Sequence, residues 1–334
     1  MTNTRSPTVY DVAKKAGVSI ATVSRVLNSP EIVQEGTRLK VLGAIDQLGF
    51  VPKADASARA RKLVGRIGIL TPFFTFPSFV QRMRGIATAL VDTPFELVIY
   101  PVDSLNRLDG YLAMLPITRR LDGLIIMALP LDEPAASRLL AHRLETILIE
   151  VNHPAFSSLQ IDDQCGGRQA AAYLLQKSHR RYAFMGPGEL PAYSLRPEDK
   201  RLNGFRKMLE ENGLTLSDEY IKHPDLTHPD VHQDLKQWLE LPEPPTAVFA
   251  ASDDLAIRLL RAARECGLKV PEDLAVIGFD DIDIAEQIGL TTISQSLDES
   301  GRMAAELLLS RLADPTRPTQ TVQLGLKLIE RGTA

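Results

Sequence analysis

The chain has 334 residues, of which 44% are hydrophobic and 24% charged, a composition typical of a soluble globular protein with two or three domains. No uncharged apolar run reaches the roughly 18 residues that a membrane-spanning helix needs. The first residues also lack the apolar core of a secretory signal, so we expect a cytoplasmic protein without a membrane span. Cys165 and Cys266 lie far apart and outside any CxxC spacing, so the sequence implies neither a disulfide framework nor a zinc site.

The net charge of −4 hides an asymmetry along the chain. Residues 1–66 contain 11 Lys and Arg against 5 Asp and Glu, whereas the remaining residues contain 27 against 37. A basic head on an acidic body indicates that the head meets a polyanion. Basic tails are common, so this signal needs the support of a motif.

Residues 8–48 are predicted to form three short helices. The first covers residues 9–16 and ends before Gly17, and Ser19 suits the N-cap of a second helix at 20–27. The third covers about 35–48. A helix, a short turn that contains glycine and a second helix together form the spacing of a helix-turn-helix.

The second predicted helix has two faces. At about 100° per residue, an apolar stripe that packs on the first helix is formed by Val23, Val26 and Leu27. The open face carries Ile20, Ala21, Ser24 and Arg25. A guanidinium can donate hydrogen bonds to O6 and N7 of guanine, and small apolar side chains can contact thymine methyl groups. Because Ile20 and Ala21 cannot donate, we expect Arg25 to provide most of the direct polar readout; the alternative is an ordinary three-helix subdomain with an incidental arginine.

Beyond residue 63, short strands rich in Ile, Leu and Val alternate with helical segments. The strand-like segments are RIGILT, FELVIYP, LDGLIIMA, RLETILIE, RYAFMG, TAVFAAS and LAVIGFDD. This alternation predicts parallel α/β architecture, with enough βα units for two doubly wound layers.

The head segments TVYDVAKKAGVSIATVSRVLN and TRLKVLGAIDQLGFVP resemble the head of the LacI/GalR (lactose repressor) family of bacterial transcription regulators. The resemblance continues through IDDQCGGRQAAAYLLQKSHRRYAFMGP, VPEDLAVIGFDDIDIAE and TTISQSLDESGRMAAELLLSRL, so it covers essentially the whole chain. It implies a helix-turn-helix domain at 1–49, a hinge at 50–64 and an effector-binding body at 65–334. The body is expected to resemble a periplasmic sugar-binding protein with two doubly wound parallel-sheet lobes. Their expected limits are about 65–161 plus 293–322 for the N-lobe and about 162–292 plus 323–334 for the C-lobe.

The resemblance also implies which head residues contact DNA. Ile20, Ala21 and Arg25 match the positions that read base edges in the major groove. The positions that hold phosphates or support that contact are matched by Thr8, Tyr10, Ser19, Thr22, Ser24, Asn28, Gln34 and Thr37. This division agrees with the general pattern in which many contacts position the protein on phosphates and few specify sequence.

Several residues of the body follow predicted strands, where doubly wound sheets bind ligands. The resemblance assigns effector contacts to Ser78, Phe79, Arg201, Ser252, Asp253, Asp280 and Gln295, and Phe73 would suit stacking on a sugar ring. Asp280 is the most informative of these, because a carboxylate at a strand end can accept two hydroxyl hydrogen bonds, as polyol recognition requires. The alternatives are that Asp280 caps the next helix and that the phenylalanines pack lobes or a dimer surface.

The segment FVPKADASARARKL, residues 50–63, occupies the family's hinge position, where a short helix usually wedges a leucine into the minor groove. Here Arg59 stands at the wedge position, seven residues after Pro52. An apolar wedge kinks a base step, whereas an arginine suits the negative potential of a narrow minor groove. We therefore predict that Arg59 contacts the minor groove electrostatically and that DNA bends less; the alternative is a hinge that stays disordered.

No catalytic or metal-binding motif stands out. GxSxG, HExxH and P-loop patterns are absent from the sequence, so no enzyme and no cofactor are predicted. One helical turn could present His228 and His232 to a metal ion. Because His228 precedes a proline, we interpret the segment HPDLTHPDVHQD as a solvated loop.

The sequence thus predicts a transcription regulator, most simply a repressor, that binds double-stranded operator DNA under the control of a small effector, a sugar or sugar derivative. We expect a homodimer on a pseudo-palindromic operator, because half-site symmetry mirrors protein symmetry. The chain also ends without the C-terminal heptad helix that the family's tetramers often use. The alternative is a sugar-binding protein of the solute-binding class without a DNA role.

Overall fold

A computed structural model of the chain describes residues 7–28, 30–50, 64–225 and 230–334, without the side chains of Asn28 and Glu31. Residues 51–63 of the predicted hinge, including Arg59, lie outside the described residues, as does His228.

The head begins with the helix-turn-helix. Its helices are α1 (Val9–Ala16), α2 (Ile20–Asn28) and α3 (Glu35–Leu48), and a short 3₁₀ helix, Pro30–Ile32, lies between α2 and α3. Thr8 and Asp11 form a capping box that starts α1, and Gly17 ends it with a φ of 67°, a conformation that glycine adopts without strain. The predicted helices are confirmed, and α2 extends one residue further than expected.

The body contains alternating strands and helices. Its helices are α4 (Pro77–Leu90), α5 (Leu105–Thr118), α6 (Glu133–Ala141), α7 (Asp163–Gln176), α8 (Pro197–Glu211), α9 (Val231–Leu239), α10 (Asp253–Glu265), α11 (Asp283–Gln287) and α12 (Leu297–Ala313). Its strands are β1 (Gly65–Thr71), β2 (Phe95–Pro101), β3 (Gly123–Met127), β4 (Glu145–Ile149), β5 (Ser157–Ile161), β6 (Tyr182–Met185), β7 (Ile221–Lys222), β8 (Ala247–Ala250), β9 (Ala275–Asp280), β10 (Thr291–Ser294), β11 (Thr321–Leu324) and β12 (Lys327–Ile329).

Within the described residues, the strands form two six-stranded sheets. The first has the order β11-β5-β4-β3-β1-β2, and the pairs β1–β2, β1–β3 and β3–β4 are parallel. The second has the order β12-β10-β9-β8-β6-β7, in which the strands from β10 to β7 are parallel and β12 pairs antiparallel with β10. The central strands are buried along their length because helices follow them in the chain, as parallel sheets require. The predicted fold, a small helical head followed by two parallel-sheet lobes, is confirmed.

The described chain divides into two units. The first takes residues 1–73, 89–158 and 304–320, and the second takes 74–88, 159–303 and 321–334. Most of α4 therefore groups with the second unit. The lobe limits expected from the sequence stay a prediction. Among the described residues, no helix combines the length and apolar character of a membrane span.

Candidate nucleic-acid interface and effector site

The outer face of α2 is the candidate DNA-reading surface. Val23 and Val26 are fully buried against α1 and α3, whereas Ile20 keeps 42% of its surface exposed. The other exposed members of this face are Ala21, Ser24 and Arg25. The structure therefore places the expected reading residues on one accessible face, because the period of the helix puts the valines on the other.

Short polar contacts order the start of α2. The Ser19 hydroxyl oxygen accepts a hydrogen bond from the Thr22 backbone N–H at 3.1 Å and lies 2.9 Å from the Thr22 hydroxyl. This arrangement caps the helix and holds its N-terminal N–H groups in place, and such N-termini attract phosphate. Tyr10 is two-thirds exposed beside the capping box of α1. Thr8 carries part of that box, because its hydroxyl donates to Asp11 at 2.6 Å.

The remaining predicted DNA contacts surround α3 and the end of α2. Gln34 is exposed at the N-cap of α3 without a side-chain capping bond, and Thr37 is half-buried in the first turn. Asn28 ends α2, but its side chain lies outside the described part of the chain. The roles of all these residues toward DNA stay predictions.

A buried polar cluster in the second unit forms the candidate effector site. Asp280 ends β9 and Gln295 follows β10, so both stand at carboxyl ends of neighbouring parallel strands. Arg201 reaches them from α8. Each of the three residues keeps less than one-tenth of its surface exposed. Doubly wound sheets bind ligands at this edge.

Asp280 is held by an amide and faces a guanidinium. The Gln295 side-chain N–H donates to Oδ1 of Asp280, and Arg201 Nη1 lies 4.0 Å from the same oxygen. Burial raises the pKa of Asp280 well above its usual range, and the charge of Arg201 opposes that shift. The backbone of Asp280 has a φ of 121°, which a residue with a side chain rarely adopts. Such local strain is typical of functional sites.

Arg201 is fixed on three sides. Its Nε donates to Oδ1 of Asp163 at 2.9 Å, and its Nη1 donates to the carbonyl of Ala251 at 2.7 Å. The guanidinium carbon also lies 3.7 Å from the centroid of the Phe279 ring. A charged plane held in this way can hydrogen-bond a polar ligand group without first losing rotamer freedom.

Arg82 continues the cluster from α4. Its Nη2 donates to Oε1 of Gln295 at 2.8 Å, and its Nε donates to the Ser300 hydroxyl at 3.0 Å. Because the Gln295 carbonyl oxygen is occupied by Arg82, the amide nitrogen is directed toward Asp280. Arg82 therefore fixes the orientation of the residue that holds the central carboxylate.

Asp253 supports the loop after β9. The side chain is fully buried, its Oδ1 accepts from the Thr292 hydroxyl at 2.5 Å, and its Oδ2 accepts from the Ile282 N–H at 2.9 Å. Both oxygens thus serve the protein itself in this conformation. Ser252 caps α10 through its hydroxyl. The effector contacts predicted for this pair stay predictions, and a supporting role for Asp253 accounts for the contacts seen.

Replacing Asp253 by Asn is expected to change how stability depends on pH. Burial raises the pKa of Asp253 to about 7, far above the value of about 3.9 in an unfolded chain. A carboxyl group with a raised folded-state pKa contributes stability that is fully present below about pH 4 and is lost as pH rises through about 7. Between these limits, wild type should lose up to about 4 kcal/mol of unfolding free energy relative to Asp253→Asn.

Urea unfolding of both proteins at several pH values from 4 to 8 measures this difference. The control is Asp254→Asn, which changes the neighbouring, exposed carboxylate that pairs with Arg258. A wild-type minus Asp253→Asn difference that stays constant over this range would contradict the assignment.

The predicted effector contacts near the start of α4 are divided between the two units. Phe73 ends a segment of the first unit with a φ of 44°, whereas Ser78 and Phe79 lie half-buried in the first turn of α4, in the second unit. The structure brings Arg201, Asp280 and Gln295 together, and contact of Phe73, Ser78 and Phe79 with an effector stays a prediction. Within the described residues, no group of three or more His, Cys, Asp or Glu side chains is arranged to hold a metal ion.

Comparison with known proteins identifies the family. Residues 8–53 match the model described as "Bacterial regulatory proteins, lacI family", and residues 171–334 match the "Periplasmic binding protein-like domain". The ribose operon repressor of Escherichia coli (strain K12) is 33% identical over 98% of this chain and 99% of its own length. The chain belongs to the lacI family.

Two further comparisons agree with the assignment to the lacI family. The HTH-type transcriptional repressor PurR of Proteus mirabilis (strain HI4320) is 32% identical over 97% of this chain and 96% of its own. A lacI-family transcriptional regulator from Enterococcus faecium, solved with bound ribose, is 30% identical over 80% of this chain and 98% of its own, with a TM-score of 0.70. The chain is thus a DNA-binding transcription regulator and not an enzyme.

Sequence reasoning missed three residues of the cluster in this lacI-family protein. Asp163, the second acid of IDDQCGG, could have been suspected from its place directly after a strand. Phe279 immediately precedes Asp280 and is hidden in the apolar run of β9. Arg82 gave no signal, because an arginine in a helix is normally assigned to the surface.

Proposed function

We propose that this lacI-family regulator is a sequence-specific repressor whose affinity for operator DNA is controlled by a small sugar or sugar derivative. The observation that supports the sugar is the buried cluster of Asp280, Gln295 and Arg201 at the strand ends. It offers a carboxylate acceptor, an amide and a guanidinium donor within a few ångströms, as neighbouring hydroxyls of a polyol require. The ribose in the Enterococcus faecium relative is consistent with this class.

The DNA partner is supported by the head. The accessible face of α2 presents Arg25 between small side chains, on a basic segment of an otherwise acidic chain. An operator-binding protein works beside the chromosome, so we place it in the cytoplasm. The alternative, a sugar-binding protein without a DNA role, leaves the ordered helix-turn-helix and its exposed reading face without a purpose.

A homodimer is supported by exposed apolar side chains. In the second unit, Val80 of α4 and Ile284 and Ile288 around α11 are each about two-fifths exposed. The two helices that carry these side chains are joined by an ion pair between Arg84 of α4 and Asp283 of α11. Apolar surface of this kind is typical of an interface, and two heads would then meet an operator of two half-sites.

Selection of binding sequences from random duplexes, followed by titration with and without compounds, tests the proposal. We expect a pseudo-palindromic operator and a steep fall of affinity with salt, because several phosphates are neutralised. D-ribose, other sugars and a purine base form the panel, and a sugar should change operator affinity at least about tenfold. A sugar that binds a protein without salt-dependent DNA affinity would favour the alternative, and a response to the purine alone would exclude the sugar.

A further inference from the structure

The apolar core of the head includes side chains from the body. It forms one buried cluster with Met114 and Ile117 of α5, which belong to the body but lie in the same unit. Ile117 has no exposed surface, and Met114 is 6% exposed. Two large apolar side chains of the body are thus covered together with the core of the helix-turn-helix.

A second contact joins the turn after α2 to the same helix. A Cβ built on Gly110 of α5 would lie 3.7 Å from Cγ of Pro30, which is ordinary van der Waals contact. Arg38 of α3 is buried although it is charged, and its charge lowers the pKa of Asp109, the neighbour of Gly110, against the larger raising effect of burial. Pro30 of the 3₁₀ turn and Arg38 of α3 therefore both act on the same stretch of α5, at Gly110 and Asp109.

The end of α3 is linked to α6 by polar contacts. Oδ2 of Asp46 accepts from Arg138 Nη1 at 3.0 Å, and Oδ1 of Asp46 lies 3.3 Å from His142 Nε2. All three side chains are partly shielded from solvent, which strengthens such contacts relative to fully exposed pairs. Asp46 lies at the end of the head farthest along the chain, just before the hinge.

These contacts leave the reading face of α2 exposed to solvent. They use the 3₁₀ turn, α3 and the buried stripe of α2, whereas Ile20, Ser24 and Arg25 stay exposed. A head bound in this way is oriented but not masked.

We propose that α5 and α6 form a docking surface for the chain's own head, which holds the reading face outward and connects head and body independently of the hinge. Docking restricts the motion of the head before DNA arrives, so less entropy is lost when the operator binds. Any effect of an effector on this connection rests on the proposed function; the docking itself does not.

A disulfide across the contact tests docking without DNA. Pro30→Cys and Gly110→Cys together place two thiols at a separation that a disulfide can span with a small adjustment. Oxidation of the purified full-length double variant should give a link within one chain, seen as faster migration on a non-reducing gel and reversed by reductant. The single variants are the controls for links to the native cysteines.

Two other outcomes would overturn the proposal. A link between two chains would assign the docked head to the partner of a dimer, and the absence of any link would exclude the contact. Because this experiment needs neither operator nor effector, its failure is distinguishable from failure of the proposed function. The oxidised protein should also bind the selected operator at least as tightly as the reduced one, and loss of binding on oxidation would show that docking blocks DNA.

The operator affinity of variants that lack the polar contacts of Asp46 gives a second test. Asp46→Ala and Arg138→Ala should each weaken binding about three- to tenfold, and the double variant should be no weaker than Asp46→Ala alone, which already loses the contacts with Arg138 and His142. The slope of log affinity against log salt should not change, because no phosphate contact is lost. Arg107→Ala, which breaks the exposed Arg107–Asp103 pair at the start of α5, is the matched control. Additive losses or a reduced slope would contradict docking.

Discussion

Arg25→Ala is expected to remove most of the preference of the protein for its operator over random DNA. Arg25 is the only side chain on the described outer face of α2 that can donate two hydrogen bonds to one base edge, because its neighbours there are Ile20, Ala21 and Ser24. A bidentate arginine–guanine pair contributes about 1–3 kcal/mol, and the proposed dimer would lose it twice, so specific affinity should fall roughly 30-fold to 10⁴-fold.

The measurement is a pair of titrations, one with the selected operator and one with a scrambled duplex of the same length. Affinity for the scrambled duplex should change little, since non-specific binding depends on phosphate contacts. Arg25→Lys is the matched variant: it keeps the charge but not the planar pair of donors, so its non-specific binding should equal that of wild type while its specificity stays low. Effector affinity and melting temperature should stay at the wild-type values. A parallel loss on both duplexes would mean that readout does not depend on Arg25.

The head could be predicted from the sequence because its determinants are local. Gly17 ends one helix, Ser19 caps the next, and the spacing of Val23 and Val26 decides which face of α2 is buried. Each of these signals acts within a few residues. The alternation of strands and helices in the body is local in the same sense, and the parallel sheets followed from it.

The buried cluster depends on contacts between distant residues, which no local pattern encodes. Arg82 and Gln295 are separated by 213 positions, and Arg201 and Asp163 by 38. A buried arginine is stable only where several acceptors converge, and their convergence is a property of the fold. The contact of α3 with α5 and α6 was missed for the same reason, because Met114 and Ile117 read as ordinary core residues of a lobe.

The position of Asp253 at the ligand-binding edge could be predicted from the sequence, but the contacts of its side chain could not. The resemblance assigned it to the effector, and its place after β8 agrees with a ligand-binding edge. In the structure, the Thr292 hydroxyl and the Ile282 N–H occupy its two oxygens, and the loop that they hold begins with the strained residue Asp280. Asp253 therefore supports the backbone around Asp280, and direct recognition of the effector by Asp280 stays a prediction.

Asp280→Ala is expected to lower effector affinity at least about 100-fold, since two charge-assisted hydrogen bonds of about 1.5–3 kcal/mol each would be lost. It also leaves the amide of Gln295 and the guanidinium of Arg201 without the carboxylate between them. Asp280→Asn should lose less, because its carbonyl oxygen can still accept from Gln295. Calorimetric titration with the sugar that wild type binds best measures both variants, and Asp254→Ala, which removes a nearby exposed carboxylate, is the control.

A folding defect can be separated from a recognition defect at this position. Burial raises the pKa of Asp280, so its charge costs folding energy at neutral pH, and Asp280→Asn should melt no lower than wild type. Operator affinity without effector should stay within a few-fold of wild type, because the head and its contacts with α5 and α6 do not involve Asp280. The sugar should then fail to change operator affinity at concentrations that saturate wild type. Normal effector affinity in Asp280→Ala would remove the effector site from the end of β9, while reduced melting and reduced operator affinity together would assign Asp280 to the fold alone.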